Sequence, residues 1–174
     1  VQFVYMKKSM EIGAFDQIYH EHLLYYNLAT IETLLNRHGL AMFDAYLAPI
    51  HGGSIVGFIG HTGCRTPTAR LLELRAEEEK TQSNSFAAYN QFAGRIRELK
   101  KQNLAYLEKK KKAGKTIFGF GAPVKGNTML NYFGVDTRIL DCLVEKNPLR
   151  KGLYSPAMNI PIVLEEELPQ SPDV

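Results

Sequence analysis

The chain has 174 residues, of which 45% are hydrophobic and 22% charged, and a net charge of +3. This makes one large globular domain or two small ones. It excludes a collagen-like or disordered chain and a helix that spans a membrane, since no run approaches the roughly 18 apolar residues needed. Two cysteines, Cys64 and Cys142, exclude a disulfide framework and a zinc ribbon, and a reducing cytoplasm is the expected compartment.

Val1–Met6 is an apolar run that reads as a strand; the basic pair Lys7–Lys8 follows it, which is the wrong order for a signal peptide. Phe15–Tyr26 is dense in aromatics and histidine and has no clean period. Asn27–His38 predicts a helix: Asn27 is a fair N-cap, Leu28, Ile31, Leu34 and Leu35 share a face, and Gly39 supplies the stop. Leu40–Leu47 and Ser54–Gly60 read as strands. Thr68–Lys80 and Ser85–Lys112 read as helices, the second carrying Tyr89, Phe92, Ile96, Leu99, Asn103 and Tyr106 at alternating steps of three and four. That stripe wants a core or a second copy of the chain to pack against, so a homodimer is a possible state.

The last third reads as a strand over Thr116–Phe120, a glycine-rich loop Gly119–Thr128, a helix through about Tyr132, a strand over Ile139–Val144 ending at Glu145, a third strand at Ile160–Val163, and a helix opening at Glu165. This order is the start of a parallel β-α-β sheet, and the fold class is α/β. The chain does not open with Met and stops at Val174 shortly after a helix start, so both ends are expected to be cuts from something longer. Seven lysines between Lys100 and Lys115 face one acid, Glu108. With no aromatics among the clustered lysines to stack bases, they read as a solvated helix end, and neither nucleic acid nor membrane is an expected partner.

Three clusters carry chemistry. Tyr19-His20-Glu21-His22 places two imidazoles, a carboxylate and a phenol in four positions. An extended segment would put Tyr19 and Glu21 on one face and His20 and His22 on the other, whereas a tight turn would make them converge. The set suits removal of a proton beside a carbonyl, with imidazole as base and phenol as donor to the enolate oxygen. A metal site built on His20-x-His22 with His51, His61 and Cys64, or a purely structural polar cluster, are the alternatives. His51-Gly52-Gly53-Ser54, between two strands, lets backbone amides approach a ligand or simply forms a turn. In the third cluster, Gly119-x-Gly121 fits a dinucleotide fingerprint, but Val124 stands at the third glycine. Gly121-x4-Gly126 fits a phosphate loop, but Asn127 stands at the lysine. An anion site at a helix start, with Lys125 nearby and Glu145 where a ribose-binding acid is placed, survives both failures, as does a turn with no ligand.

Phe15-Asp-Gln-Ile-Tyr-His-Glu-His22, Leu35-x4-Leu40 with Gly39, and His51-Gly-Gly-Ser54 resemble the sugar C-methyltransferases that use S-adenosylmethionine. Gly119-x-Gly-Ala-x-x-Lys-Gly-Asn-Thr128 and the stretch from Asn147-Pro148 to Ile160-Pro-Ile162 resemble the C-terminal domain of the same family. The resemblance implies that residues 1–62 end an S-adenosylmethionine-binding Rossmann-type domain, 63–112 form a helical connector, and 113–174 begin a second Rossmann-like domain. It implies a nucleotide-linked keto-deoxysugar as substrate, with His22 as base, Tyr19 as donor to the keto oxygen and Glu21 as a sugar-binding or orienting group. His51, Gly52, Gly53, Ser54, Gly121, Lys125, Gly126, Asn127 and Glu145 would lie near sugar or nucleotide. The glycines that hold S-adenosylmethionine, and a small zinc-binding domain, are expected upstream of Val1, so this stretch alone is expected not to turn over. A non-catalytic nucleotide or nucleotide-sugar binding module, and a His-x-His metal hydrolase, remain the rival functions.

Overall fold

The computed structural model describes residues 1–168 and 171–174. The chain folds into two compact bodies, Val1–Ile96 and Arg97–Val174. Among the described residues no helix is long and apolar enough to cross a membrane.

In the first body, β1 (Gln2–Val4) leads straight into α1 (Met6–Ile12), followed by α2 (Leu28–Asn36), β2 (Leu40–Ala48), β3 (Ser54–His61), α3 (Ala69–Lys80) and the start of α4 (Phe86–Lys112). The strands form an antiparallel sheet in the order β1-β3-β2, with Gln2 opposite Val56 and Leu40 opposite His61. Met42 and Ala45 are both buried although three residues apart, because a bulge between Met42 and Asp44 resets the two-residue alternation. Tyr5, Leu28, Ile31, Leu35, Met42, Ala45, Ile55 and Leu71 make the core. A second cluster joins Met6 and Met10 of α1 to Phe92 and Ile96 of α4. The predicted stripe on α4 therefore buries only Phe92 and Ile96, while Tyr89, Leu99 and Tyr106 remain exposed.

The expected strand Val1–Met6 is only three residues long, and Met6 begins a helix that the sequence reading did not foresee. The cause is visible in Lys7. Its stem is buried and its ammonium group pairs with Glu11 of the same helix and with Glu77 at 3.7 Å, so a basic residue sits at an inner position.

Glu78 of α3 is 3% exposed and organises this body. Its carboxylate accepts from the Leu28 and Ala29 amides at 2.7 and 2.9 Å, from the Tyr5 hydroxyl at 2.8 Å and from Asn84 Nδ2 at 2.7 Å. The negative charge thus sits on the free N–H groups of α2, where the helix dipole favours it. Asn27 supplies the other half of the junction: Oδ1 accepts from the Lys7 amide at 2.7 Å and Nδ2 donates to Asn84 Oδ1 at 2.8 Å.

The second body holds β4 (Phe118–Phe120), α5 (Val124–Phe133), β5 (Cys142–Glu145) and β6 (Ile162–Leu164). The sheet is parallel in the order β4-β5-β6, as the β-α-β pattern predicts. Ile117, Leu130, Phe133, Leu140, Leu143, Ile160 and Ile162 are buried. Gly119 has a specific reason to be glycine: a Cβ there would stand 2.5 Å from Leu143 Cδ2 on the neighbouring strand. The lysine-rich end of α4 is solvated and paired, Lys111 with Asp141 at 2.6 Å, while Lys110 lies over the Tyr106 ring. Both edges of the sheet carry further hydrogen bonds. Beside β4, the Phe118 amide donates to Val174 O at 3.1 Å and the Asp173 amide to Thr116 O at 3.0 Å. Beside β6, the Ile162 amide donates to Leu153 O at 2.9 Å.

Several boundaries differ from the expectation. Helix α5 begins at Val124, inside the expected loop, because Pro123 already has φ −72° at the N-cap and needs no amide partner. Ile139 lies in a turn closed onto Asp136 and not in β5, and Glu165 opens only a single tight turn to Glu167.

Replacing Glu78 by Ala leaves two helix amides and a phenol without their acceptor. The expected loss is about 3 kcal/mol in urea unfolding; a loss below ~1 kcal/mol would show that α2 does not depend on it. The Tyr5 phenol is held well above its ordinary 10.0 by burial, then by the hydrogen bond and charge of Glu78. Above that value the unfolded chain releases this proton while the folded chain keeps it, so stability falls as pH climbs. Tyr5→Phe is expected to flatten that alkaline decline in thermal melts.

Candidate active site

The candidate residues form two groups, one in each body. In the first body the segment from Phe15 to Tyr26 has little regular structure, only a single tight helical turn at Phe15–Gln17. A second turn follows, in which the His22 amide donates to Tyr19 O at 3.0 Å. This turn, not an extended strand, decides which side chains meet. Tyr19 Oη donates to Glu21 Oε2 at 3.1 Å and its ring centroid is 4.5 Å from that of His22. His20 is three-quarters exposed, its ring edge to face with Tyr19 at 5.8 Å and its Nε2 4.0 Å from Glu21.

His22 is held from several sides. Its Nδ1 lies 2.9 Å from Gln17 O. A carbonyl can only accept, so Nδ1 is the donor in this contact. The Tyr25 ring is 6.4 Å away, edge to face, and the His51 ring 6.0 Å away at 73°. Gln17 is a residue the sequence reading passed over. Its contribution is a main-chain oxygen, which no side-chain pattern reveals; that oxygen also accepts from the Tyr25 hydroxyl at 3.4 Å, and Gln17 itself is buried. The Tyr19 phenol is raised above its ordinary value, first by partial desolvation and then by the hydrogen bond and charge of Glu21, so near neutral pH it remains an O–H donor.

The His51–Ser54 turn brings His51 to this cluster, but its other members serve the turn itself. Ser54 is fully buried; its hydroxyl donates to Ile50 O at 2.9 Å and accepts from Gln2 Nε2 at 3.1 Å. The Gly53 amide donates to Ile50 O at 3.0 Å, and Gly53 O accepts from the Tyr5 amide at 3.1 Å. A Cβ on Gly53 would fall 2.3 Å from Lys8 Cγ, so its glycine is required by the close approach of α1. A Cβ on Gly52 would meet Ile12 at 3.0 Å.

In the second body, Gly121 follows β4 and its amide donates to Val144 O at 2.7 Å. Lys125, Gly126 and Asn127 lie within the first turns of α5, beside Pro123, and the Asn127 carbonyl accepts from Asn131 at 2.8 Å. Glu145, at the end of β5, accepts from the Lys146 and Asn147 amides at 2.8 and 3.3 Å, the Ala122 amide at 3.4 Å and Arg150 Nη1 at 3.0 Å. These amides, with Arg150, hold its carboxyl below the usual range. Arg150 also donates to Ala122 O. The acid thus clasps the glycine-rich turn to the end of β5. Among the described residues, no three His, Cys, Asp or Glu side chains come together as a metal-holding group.

The model of the C-methyltransferase C-terminal domain family matches residues 49–174. The C-methyltransferase NovU of Streptomyces niveus is 30% identical over 168 residues, covering 96% of this chain and 40% of NovU. The chain therefore spans well under half of that relative's length. The family match takes in the His51–Ser54 turn and the entire second body.

Gly53→Ala is expected to destabilise the first body by about 2 kcal/mol, since both Lys8 and a backbone φ of +142° oppose a side chain. Gly39→Ala, with open space around it, is expected to cost less. Equal melting temperatures for the two variants would contradict the packing described.

Proposed function

The chain belongs to the family of C-methyltransferase C-terminal domains, and on that premise we propose that its Tyr19–His22 turn carries the proton-transfer half of a methylation at carbon. The substrate is a nucleotide-linked keto-deoxysugar and the methyl donor is S-adenosylmethionine. The observation that carries this reading is the Nδ1 contact of His22 with Gln17 O, which engages that nitrogen and leaves Nε2 for the substrate, beside a phenol that stays protonated.

His22 Nε2 takes the proton alpha to the ketone, and the electron pair of that C–H bond passes toward the carbonyl oxygen. Tyr19 turns its single hydroxyl hydrogen from Glu21 to that oxygen as negative charge gathers there. Glu21, bonded to Tyr19 in the structure, orients the phenol. The His22 imidazolium that results keeps its Nδ1–H on Gln17 O and faces the Tyr19 ring. S-adenosylmethionine, when bound, supplies an electrophilic methyl group to the carbanion.

The glycine-rich turn of the second body does not fit the adenosine part of that donor. Glu145, the acid that would take a ribose hydroxyl, is already saturated by three amides and Arg150. We therefore assign donor binding to residues outside this chain. The reading divides the parent enzyme into a donor-binding domain ending near residue 62, a helical connector to residue 112 and a Rossmann-like domain beyond it. A cytoplasmic setting follows from the same reading.

A non-catalytic nucleotide-sugar binding module is the second reading, favoured by Lys125 in the first turns of α5 and by the exposed Phe120 at the end of β4. In the full-length enzyme, His22→Asn is expected to abolish methyl transfer while affinity for S-adenosylmethionine by calorimetry stays unchanged. Tyr19→Phe is expected to lower kcat by about a hundredfold. Retention of most of kcat in His22→Asn would remove the base assignment and leave the binding-module reading.

A further inference from the structure

His22 lies on an irregular segment flanked by the exposed Leu23 and Leu24. Within that segment its ring is fixed on one side by Gln17 O and the Tyr19 ring. His51 stands on the opposite kind of support. Its turn is bonded to Ile50 and Tyr5, closed by the buried Ser54 and packed beneath Lys8 and Ile12 of α1. His51 itself has φ +54° and ψ +33°, a left-handed conformation in which glycine or asparagine costs less. A strained residue at a well-supported position argues that its side chain is needed there, and the ring points to the neighbour it serves. The two imidazoles meet edge to face with centroids 6.0 Å apart, within the range of favourable aromatic pairs.

We infer that His51 is a positioning residue. Its ring is the fixed wall that keeps the His22 imidazole turned with Nδ1–H on Gln17 O and Nε2 outward. This rests on the reading of His22 as the base, but the wall itself is a property of the chain and is measurable without substrate. The ring's shape and π-face, set against His22, carry the role. A ring without nitrogens should therefore do the same work.

The test uses the chain labelled with 15N-histidine and two-bond 1H–15N correlation spectra of the His22 ring, recorded above its titration. The native chain is expected to show Nδ1 protonated and Nε2 unprotonated. In His51→Ala the two nitrogens are expected to shift toward each other, as the ring samples both tautomers. In His51→Phe the native pattern is expected to return. Amide spectra of each variant confirm that the fold is retained. An unchanged His22 pattern in His51→Ala overturns the inference. So does a disturbed pattern that His51→Phe fails to restore, since the imidazole's own chemistry would then matter. In the full-length enzyme, His51→Ala is expected to lower kcat about tenfold with KM unchanged, and His51→Phe to recover most of it. Failure of His22→Asn to abolish activity would defeat the base assignment yet leave the spectroscopic result standing, so the two failures are separable.

Discussion

A buried carboxylate cannot stay charged without donors, and the first body is built around satisfying one. Glu78 gathers the start of α2, the hydroxyl of Tyr5 and the amide of Asn84 onto two oxygens. Tyr5 links β1 to α1 and Asn84 precedes α4, so elements distant in sequence meet at one charge. The position of α1 follows from this, because the Lys7 amide is fixed to Asn27, the residue that opens α2. Once α1 is placed, its Lys8 and Ile12 lie over the two glycines of the His51 turn. The candidate site inherits its geometry from this chain of contacts, several steps removed from any side chain that does chemistry.

The division of labour within the site follows the same logic. His22, the residue proposed as the base, sits on an irregular segment. Its neighbours come from better-supported elements: a main-chain oxygen at Gln17, the last residue of the short helical turn, and the His51 ring on its hydrogen-bonded turn. The second body repeats the theme. The acid that the nucleotide fingerprint would assign to a ribose instead fastens the glycine-rich turn to β5, with Arg150 bridging the same two segments.

Much of this was legible in the sequence. Helix α2 was marked by Asn27, its apolar face and Gly39, and the parallel sheet by two apolar runs separated by a glycine-rich turn. Tyr19, Glu21 and His22 were legible as a cluster because their residue types are rare together. Their convergence was not, since it depends on a turn that has no glycine or proline to announce it. Helix α1 was hidden because Lys7 occupies an inner position, and the bulge in β2 because Phe43 looks like any other strand residue. Gln17 acts through an atom every residue possesses. Ser54 was read as a ligand contact on the strength of its hydroxyl, but that hydroxyl closes its own turn.

The hydrogen bonds along the outer sides of β4 and β6 bear on how the second body behaves in a crowded solution. A three-stranded parallel sheet ordinarily leaves two rows of unpaired backbone groups, each a template for a passing chain. Here Asp173 and Val174 pair with part of one row, at Thr116 and Phe118, and Gly152 and Leu153 with part of the other, at Ile162. A strand added at either side would compete with these segments for the same backbone groups.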